Sequence, residues 1–158
     1  MTDETLRAHI LDRAKAWIDT PYQHQASARQ AGCDCLGLIR GIWRETYGQE
    51  PLEVPPYTAN WAEETGRETL LEAAQSCLVP INPKSAQAGH IMLFRMSPHA
   101  PCKHIAIRAS ETTIIHAYWG RAVVESFLVP YWQKRHAFSF AFPPIDRASV
   151  SATERATL

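Results

Sequence analysis

The sequence has no excess charge of either sign: Lys and Arg total 16 and Asp and Glu total 16. A balanced chain gives no electrostatic basis for binding nucleic acid or an anionic membrane surface, so neither is expected as a partner. Also missing is any apolar run of the roughly eighteen residues that a membrane-spanning helix needs. Met1-Thr2-Asp3-Glu4 is acidic and leads into an amphipathic segment, whereas a secretory leader has a positive start and an apolar stretch. The expectation is a product made in the cytoplasm that reaches any outside target by another route. Cysteines are few, and Cys33, Cys35, Cys77 and Cys102 do not have the spacing of a disulfide framework, so chemistry or packing decides their use. There is no internal repeat and no low-complexity segment. What remains, 158 residues with 46% hydrophobic content, is enough for one domain with its own core.

Within that length the two halves differ. Thr5 to Ile18 repeats apolar residues at helical spacing (Leu6, Ile10, Ala14, Trp17) and is stopped by Thr20-Pro21-Tyr22. A polar loop, His24 to Gly32, then leads into Asp34, a favoured helix cap, and an apolar helical pattern that ends near Gly48. Glu50 to Asn60, with Pro51, Pro55 and Pro56, reads as a long loop, and Trp61 to Leu78 as one or two helices. From His90 onward the runs are short and β-rich: His90–Arg95, Lys103–Ala109, Thr112–Tyr118, Ala122–Phe127 and His136–Phe142. Helices followed by a strand meander argue an α+β domain over residues 1–143. Residues 144–158 have little apolar content and are expected to form a flexible tail.

The cap at Asp34 puts Cys35 on the first turn of its helix, where the dipole favours thiolate, the nucleophilic form of cysteine. Cys35 is therefore the candidate nucleophile, and a base is needed. Among seven histidines, His104 and His116 stand apart because a turn near Ser110 would pair their strands and set the two nearly opposite on one sheet face. Thiol, imidazole, and a group that orients the imidazole can then be filled by Cys35, His104 and His116. Two other readings stay open. A buried Cys is usually inert packing and a strand His usually structural. Alternatively Cys33, Cys35, Cys102 and His104 supply a Cys₃His set for Zn²⁺, although a one-residue gap between two ligands is strained.

Taken together, Thr20-Pro21-Tyr22, Asp34-Cys35-Leu36-Gly37-Leu38, Gly89 to Phe94, Lys103 to Ile107 and Ile114 to Ala117 resemble, in order and spacing, the NlpC-type cysteine peptidases, papain-like cell-wall hydrolases. The resemblance runs from about Ala8 to Phe142. It implies a papain-like α+β fold with the nucleophile on a central helix packed on an antiparallel sheet, and no cofactor or metal. Cys35 would be the nucleophile, His104 the general base and acid, and His116 the residue orienting His104. Tyr22 would polarise or position the scissile carbonyl, and Asp34 would serve as a cap. The implied substrate is a peptidoglycan stem peptide, cut between D-γ-glutamyl and a diamino acid. The wording around Cys33 to Leu38, and the ending around Trp132 and Phe140 to Pro143, look most like a subfamily found in phage tails and phage-like particles. That implies tail proteins as partners and a virion-borne enzyme acting at the bacterial cell wall. Three departures stand out: Leu36 where Ser is frequent, Gly89-His90 where Gly-Asp is usual, and Gln23-His24-Gln25-Ala26 where Gly-Gly often follows Thr-Pro-Tyr. A non-catalytic tail-tip protein, or a thiol amidase or acyltransferase on another acyl substrate, is the competing expectation.

Overall fold

The computed structural model describes residues 1–52 and 66–145. Most of the Pro-rich loop, the first part of the helix expected from Trp61, and nearly all of the expected tail lie outside them. The first helix, α1 (Asp3–Ala16), starts two residues earlier than the periodicity suggests because Thr2 caps it, its side-chain oxygen accepting the Thr5 N–H. It buries Leu6, Ile10 and Ala14. A small two-stranded ribbon, β1 (Ser27–Ala28) and β2 (Gly32–Cys33), then leads into α2 (Cys35–Tyr47), which ends at Gly48 with φ 89°. After the undescribed segment come α3 (Thr69–Cys77) and a short strand absent from the sequence reading, β3 (Val79–Ile81).

The second half is a sheet. Strands β4 (Ile91–Arg95), β5 (Cys102–Arg108), β6 (Thr113–Ala117) and β7 (Val123–Phe127) form the expected antiparallel meander. The chain then departs from a simple meander. A short helix, α4 (Pro130–Arg135), carries it back so that β8 (His136–Ala141) pairs with β4, not β7, and β3 joins beyond β8. The order is β3-β8-β4-β5-β6-β7.

Both faces of this sheet are covered, which is why its central strands read as nearly continuous apolar runs. Ile91, Leu93, Ile105, Ile107 and Ile115 join the helix layer of Leu6, Ile10, Trp17, Leu38, Ile42 and Leu70. Met92, Phe94, Ala106 and Ile114 face the other way and are covered by Trp132 from α4. Two register shifts break the alternation beside each other. Phe94 pairs with His104 but Arg95 with Cys102, so Lys103 is an extra residue in β5, and a second shift lies between Leu93 and Phe94 against β8. In consequence Cys102 packs in the helix-side core while His104, two residues on, borders the opposite cluster.

Helix α2 sits close to its neighbours because two of its positions lack side chains. A Cβ at Gly37 would lie 1.9 Å from the Ala26 carbonyl oxygen, and one at Gly41 2.0 Å from the Trp17 ring. Trp17 is fixed there by its indole N–H, which donates to Glu45 at 2.8 Å. Gly41→Ala is therefore expected to cost ~1–3 kcal/mol through overpacking, read as a lower urea midpoint at unchanged slope. A midpoint equal to wild type would show that the indole yields freely and does not fix the approach of α1 to α2.

Candidate active site

The loop before α2 is built around Asp34. Its buried carboxylate accepts the Gly37 N–H at 2.7 Å through one oxygen and the Gln25 N–H at 2.8 Å through the other. One side chain thus caps the helix and fixes the turn in front of it. Gln25, at φ 63°, takes the left-handed conformation at the place where the expected glycines are missing. Thr20-Pro21-Tyr22 is held against the same ribbon: Cys33 donates its N–H to the Pro21 carbonyl, Gln23 donates to the Cys33 carbonyl, and the Thr20 hydroxyl accepts from the Gln30 N–H. The second departure, His90, is buried after Gly89, and its Nδ1 accepts the Gln87 N–H at 2.9 Å.

Cys35 and His104 line one cleft of about 380 Å³, together with Tyr22, Lys103, Tyr118 and Trp119. Tyr22 and Trp119 lie with ring centroids 5.7 Å apart. Leu36 points its bulk elsewhere, into an apolar pocket with Ile39, Trp43, Leu70 and Ile105. The sulfur of Cys35 lies 3.9 Å from the Lys103 carbonyl oxygen, the carbonyl of the bulged residue. His104 Nε2 and His116 Nδ1 are 2.8 Å apart, and His116 Nε2 lies 2.8 Å from the Ser126 hydroxyl. The expected cross-strand position of the two histidines is off by one pair. Ile107 faces Ile115 and Arg108 faces Ile114, a register that, continued, sets His104 across from Tyr118 and makes His116 its diagonal neighbour. Even spacing keeps both on one face, so the imidazoles still meet.

Two residues in this arrangement were not singled out from the sequence as part of the site. Trp132 stacks on the His104 ring at 4.9 Å and 27°, and meets the rings of His116 and Tyr118 edge-on. A tryptophan on a six-residue helix after a strand gives no local signal of this. Ser126 is the other, and its signal was the shared even-numbered face of three successive strands.

The electrostatics differ from the expectation of a thiolate at a helix terminus. Burial pushes the Cys35 thiol up to about 12, with the Asp34 carboxylate adding to the shift, and the Ile105 and Leu36 N–H groups pull it back by less. Burial likewise lowers His116 to about 4 and His104 well below its ordinary value, His104 also being disfavoured as a cation by His116. Both shifts favour the uncharged forms, thiol at Cys35 and neutral imidazole at His104. Tyr22 is raised to about 12 by burial and by the neighbouring Cys35 and Asp34, so its hydroxyl keeps its proton at neutral pH. As for the metal alternative, among the described residues no three His, Cys, Asp or Glu side chains converge as an ion would require.

The model of the NlpC/P60 family matches residues 19–139, so this chain belongs to the NlpC/P60 family. A curated relative, the murein DD-endopeptidase MepS/murein LD-carboxypeptidase of Escherichia coli K12, is 25% identical over 132 residues, covering 83% of this chain and 60% of the relative. The chain thus spans about three-fifths of the length of the curated relatives it matches. Among solved structures, the NlpC/p60 domain of the peptidoglycan hydrolase SagA superposes with a TM-score of 0.61 at 22% identity, covering 86% of this chain and 98% of that one. RipD from Mycobacterium tuberculosis, a non-catalytic NlpC/p60 domain protein adapted to peptidoglycan binding, superposes with a TM-score of 0.53 at 11% identity, covering 86% and 95%. These likenesses establish the papain-like α+β fold.

The lowered histidines make stability depend on pH in a definite direction. Below about 6.5 the unfolded chain binds protons that the folded His104 and His116 refuse, so stability is full above that pH and falls as pH drops towards 4. His116→Gln removes one of the two groups and is expected to flatten this fall, seen as a smaller loss of urea midpoint between pH 7 and pH 4.5. Parallel pH curves for wild type and variant would mean that His116 carries no part of the acid sensitivity.

Proposed function

We propose that the protein is a thiol hydrolase that cuts amide bonds in peptidoglycan stem peptides, between D-γ-glutamyl and a diamino acid. The observation that carries this reading is the meeting of Cys35 and His104 at one cleft, with His104 hydrogen-bonded to His116 behind it. As substrate settles, the Cys35 thiol gives its proton to His104 and its sulfur attacks the scissile carbonyl. His104 acts as the general base in the attacking step. The Tyr22 hydroxyl, which stays protonated, and the N-terminal amides of α2 are the donors available to the oxyanion. Collapse of the tetrahedral intermediate breaks the C–N bond, and the amine leaves with the proton held by His104. Water, deprotonated by His104, then cleaves the thioester, giving a carboxylic acid and the free thiol.

Carriage on a phage tail or tail-like particle completes the proposal. Its support is the wording of Cys33 to Leu38 and of the ending around Trp132 and Phe140 to Pro143. Such a particle supplies the tail partners and delivers the enzyme to the cell wall from outside.

Digestion of purified peptidoglycan by wild type and Cys35→Ala, with fragments identified by mass, tests the hydrolase. Stem-peptide fragments are expected from wild type and a loss of at least ~10³-fold from the folded variant, since the nucleophile has no substitute. Equal digestion by both would remove Cys35 from the chemistry. No digestion by folded, reduced wild type would leave a binding domain of the kind RipD represents.

A further inference from the structure

We infer that Ser126, on β7, is a positioning residue that holds His116 in its Nε2–H form and thereby leaves His104 Nδ1 bare for the thiol proton. Its catalytic meaning rests on the hydrolase reading above. The geometry is a line of three side chains taken from three neighbouring strands: His104 on β5, His116 on β6 and Ser126 on β7. Both links measure 2.8 Å. Ser126 pairs across from Ile114 and His116 across from Val124, so the serine reaches the imidazole diagonally on a shared face.

Proton bookkeeping along this line is restrictive. A neutral imidazole has one N–H, and the partner of one nitrogen decides where it sits. For His104 to receive a proton at Nδ1, its own hydrogen must be on Nε2 and be donated to His116 Nδ1. His116 must then carry its hydrogen on Nε2, and this N–H needs an acceptor. The Ser126 oxygen is at the required place, and the half-buried position of Ser126 on an edge strand lets its own hydroxyl hydrogen turn to water. In the reverse arrangement Ser126 would donate, His116 would carry Nδ1–H and donate it to His104 Nε2, and His104 would present its Nδ1–H to the thiol and accept no proton from it. Only the arrangement with Ser126 accepting permits the first step. Removing the hydroxyl leaves the His116 Nε2–H without a partner and pushes that ring towards Nδ1–H, which imposes the unproductive form on His104.

Long-range ¹⁵N–¹H spectra of histidine-labelled full-length wild type, Ser126→Ala and Ser126→Thr test this directly. The expected result is a single Nε2–H form of both His104 and His116 in wild type, and a shift of His116 towards Nδ1–H in Ser126→Ala. Ser126→Thr, which keeps a hydroxyl, should restore the wild-type spectrum. With peptidoglycan as substrate, Ser126→Ala should lower kcat roughly five- to tenfold, the worth of one neutral hydrogen bond, with KM unchanged. A His116 tautomer that is identical in wild type and Ser126→Ala overturns the inference, even if turnover falls. So does an Nδ1–H form of His116 in wild type. If wild type does not cut peptidoglycan, the hydrolase reading fails while the spectra still decide the role of Ser126.

Discussion

A buried carboxylate with two backbone N–H donors is the contact on which this structure depends. Asp34 joins the turn at Gln25 to the first turn of α2, one oxygen to each. A carboxylate away from water is tolerated only when its oxygens are occupied, and charge-assisted bonds of this kind are among the stronger ones available. By holding loop and helix together, Asp34 sets where Cys35 projects and where the Tyr22 segment lies beside it. It also has an electrostatic effect, because its negative charge adds to the upward shift that burial imposes on the neighbouring thiol. The same group thus positions Cys35 and shifts its thiol towards the protonated form.

On the other side of the cleft, position is set by strand register and not by a loop. His104, His116 and Ser126 occupy one face of β5, β6 and β7, each reaching diagonally to the next. His104 follows the regular alternation of β5, and the bulge at Lys103 is what turns Cys102 into the helix-side core. Trp132 closes the back of the His104 ring. Rigid elements hold side chains to tighter tolerance than loops do, and Cys35 on α2 and His104 on β5 both sit on such elements.

Much of this was legible in local pattern. The capping aspartate, the apolar face of α2, the strand runs and the even spacing of the two histidines are short-range signals, and the helix-first, strand-second order followed from them. What escaped is non-local. The return of β8 to β4 depends on α4 spanning the far face, and a one-residue shift at Lys103 leaves no mark in an apolar alternation. A turn centred at Ser110 sets the histidine pair nearly opposite; the real register centres one position later and makes the pair diagonal. The thiol was expected to ionise from its place at a helix terminus. Burial and the Asp34 charge push the thiol the other way.

The division of the site between a helix from the first half and strands from the second has a consequence for folding. Cys35 and the bulge that faces it are 68 residues apart in the chain, and no local hairpin or helix hairpin brings them together. Contacts of that separation form only after the entropy of closing a long loop has been overcome. A partly synthesised or half-collapsed chain therefore has an ordinary surface cysteine and an ordinary histidine, each without the other. The cleft that both residues line therefore forms only with the completed fold.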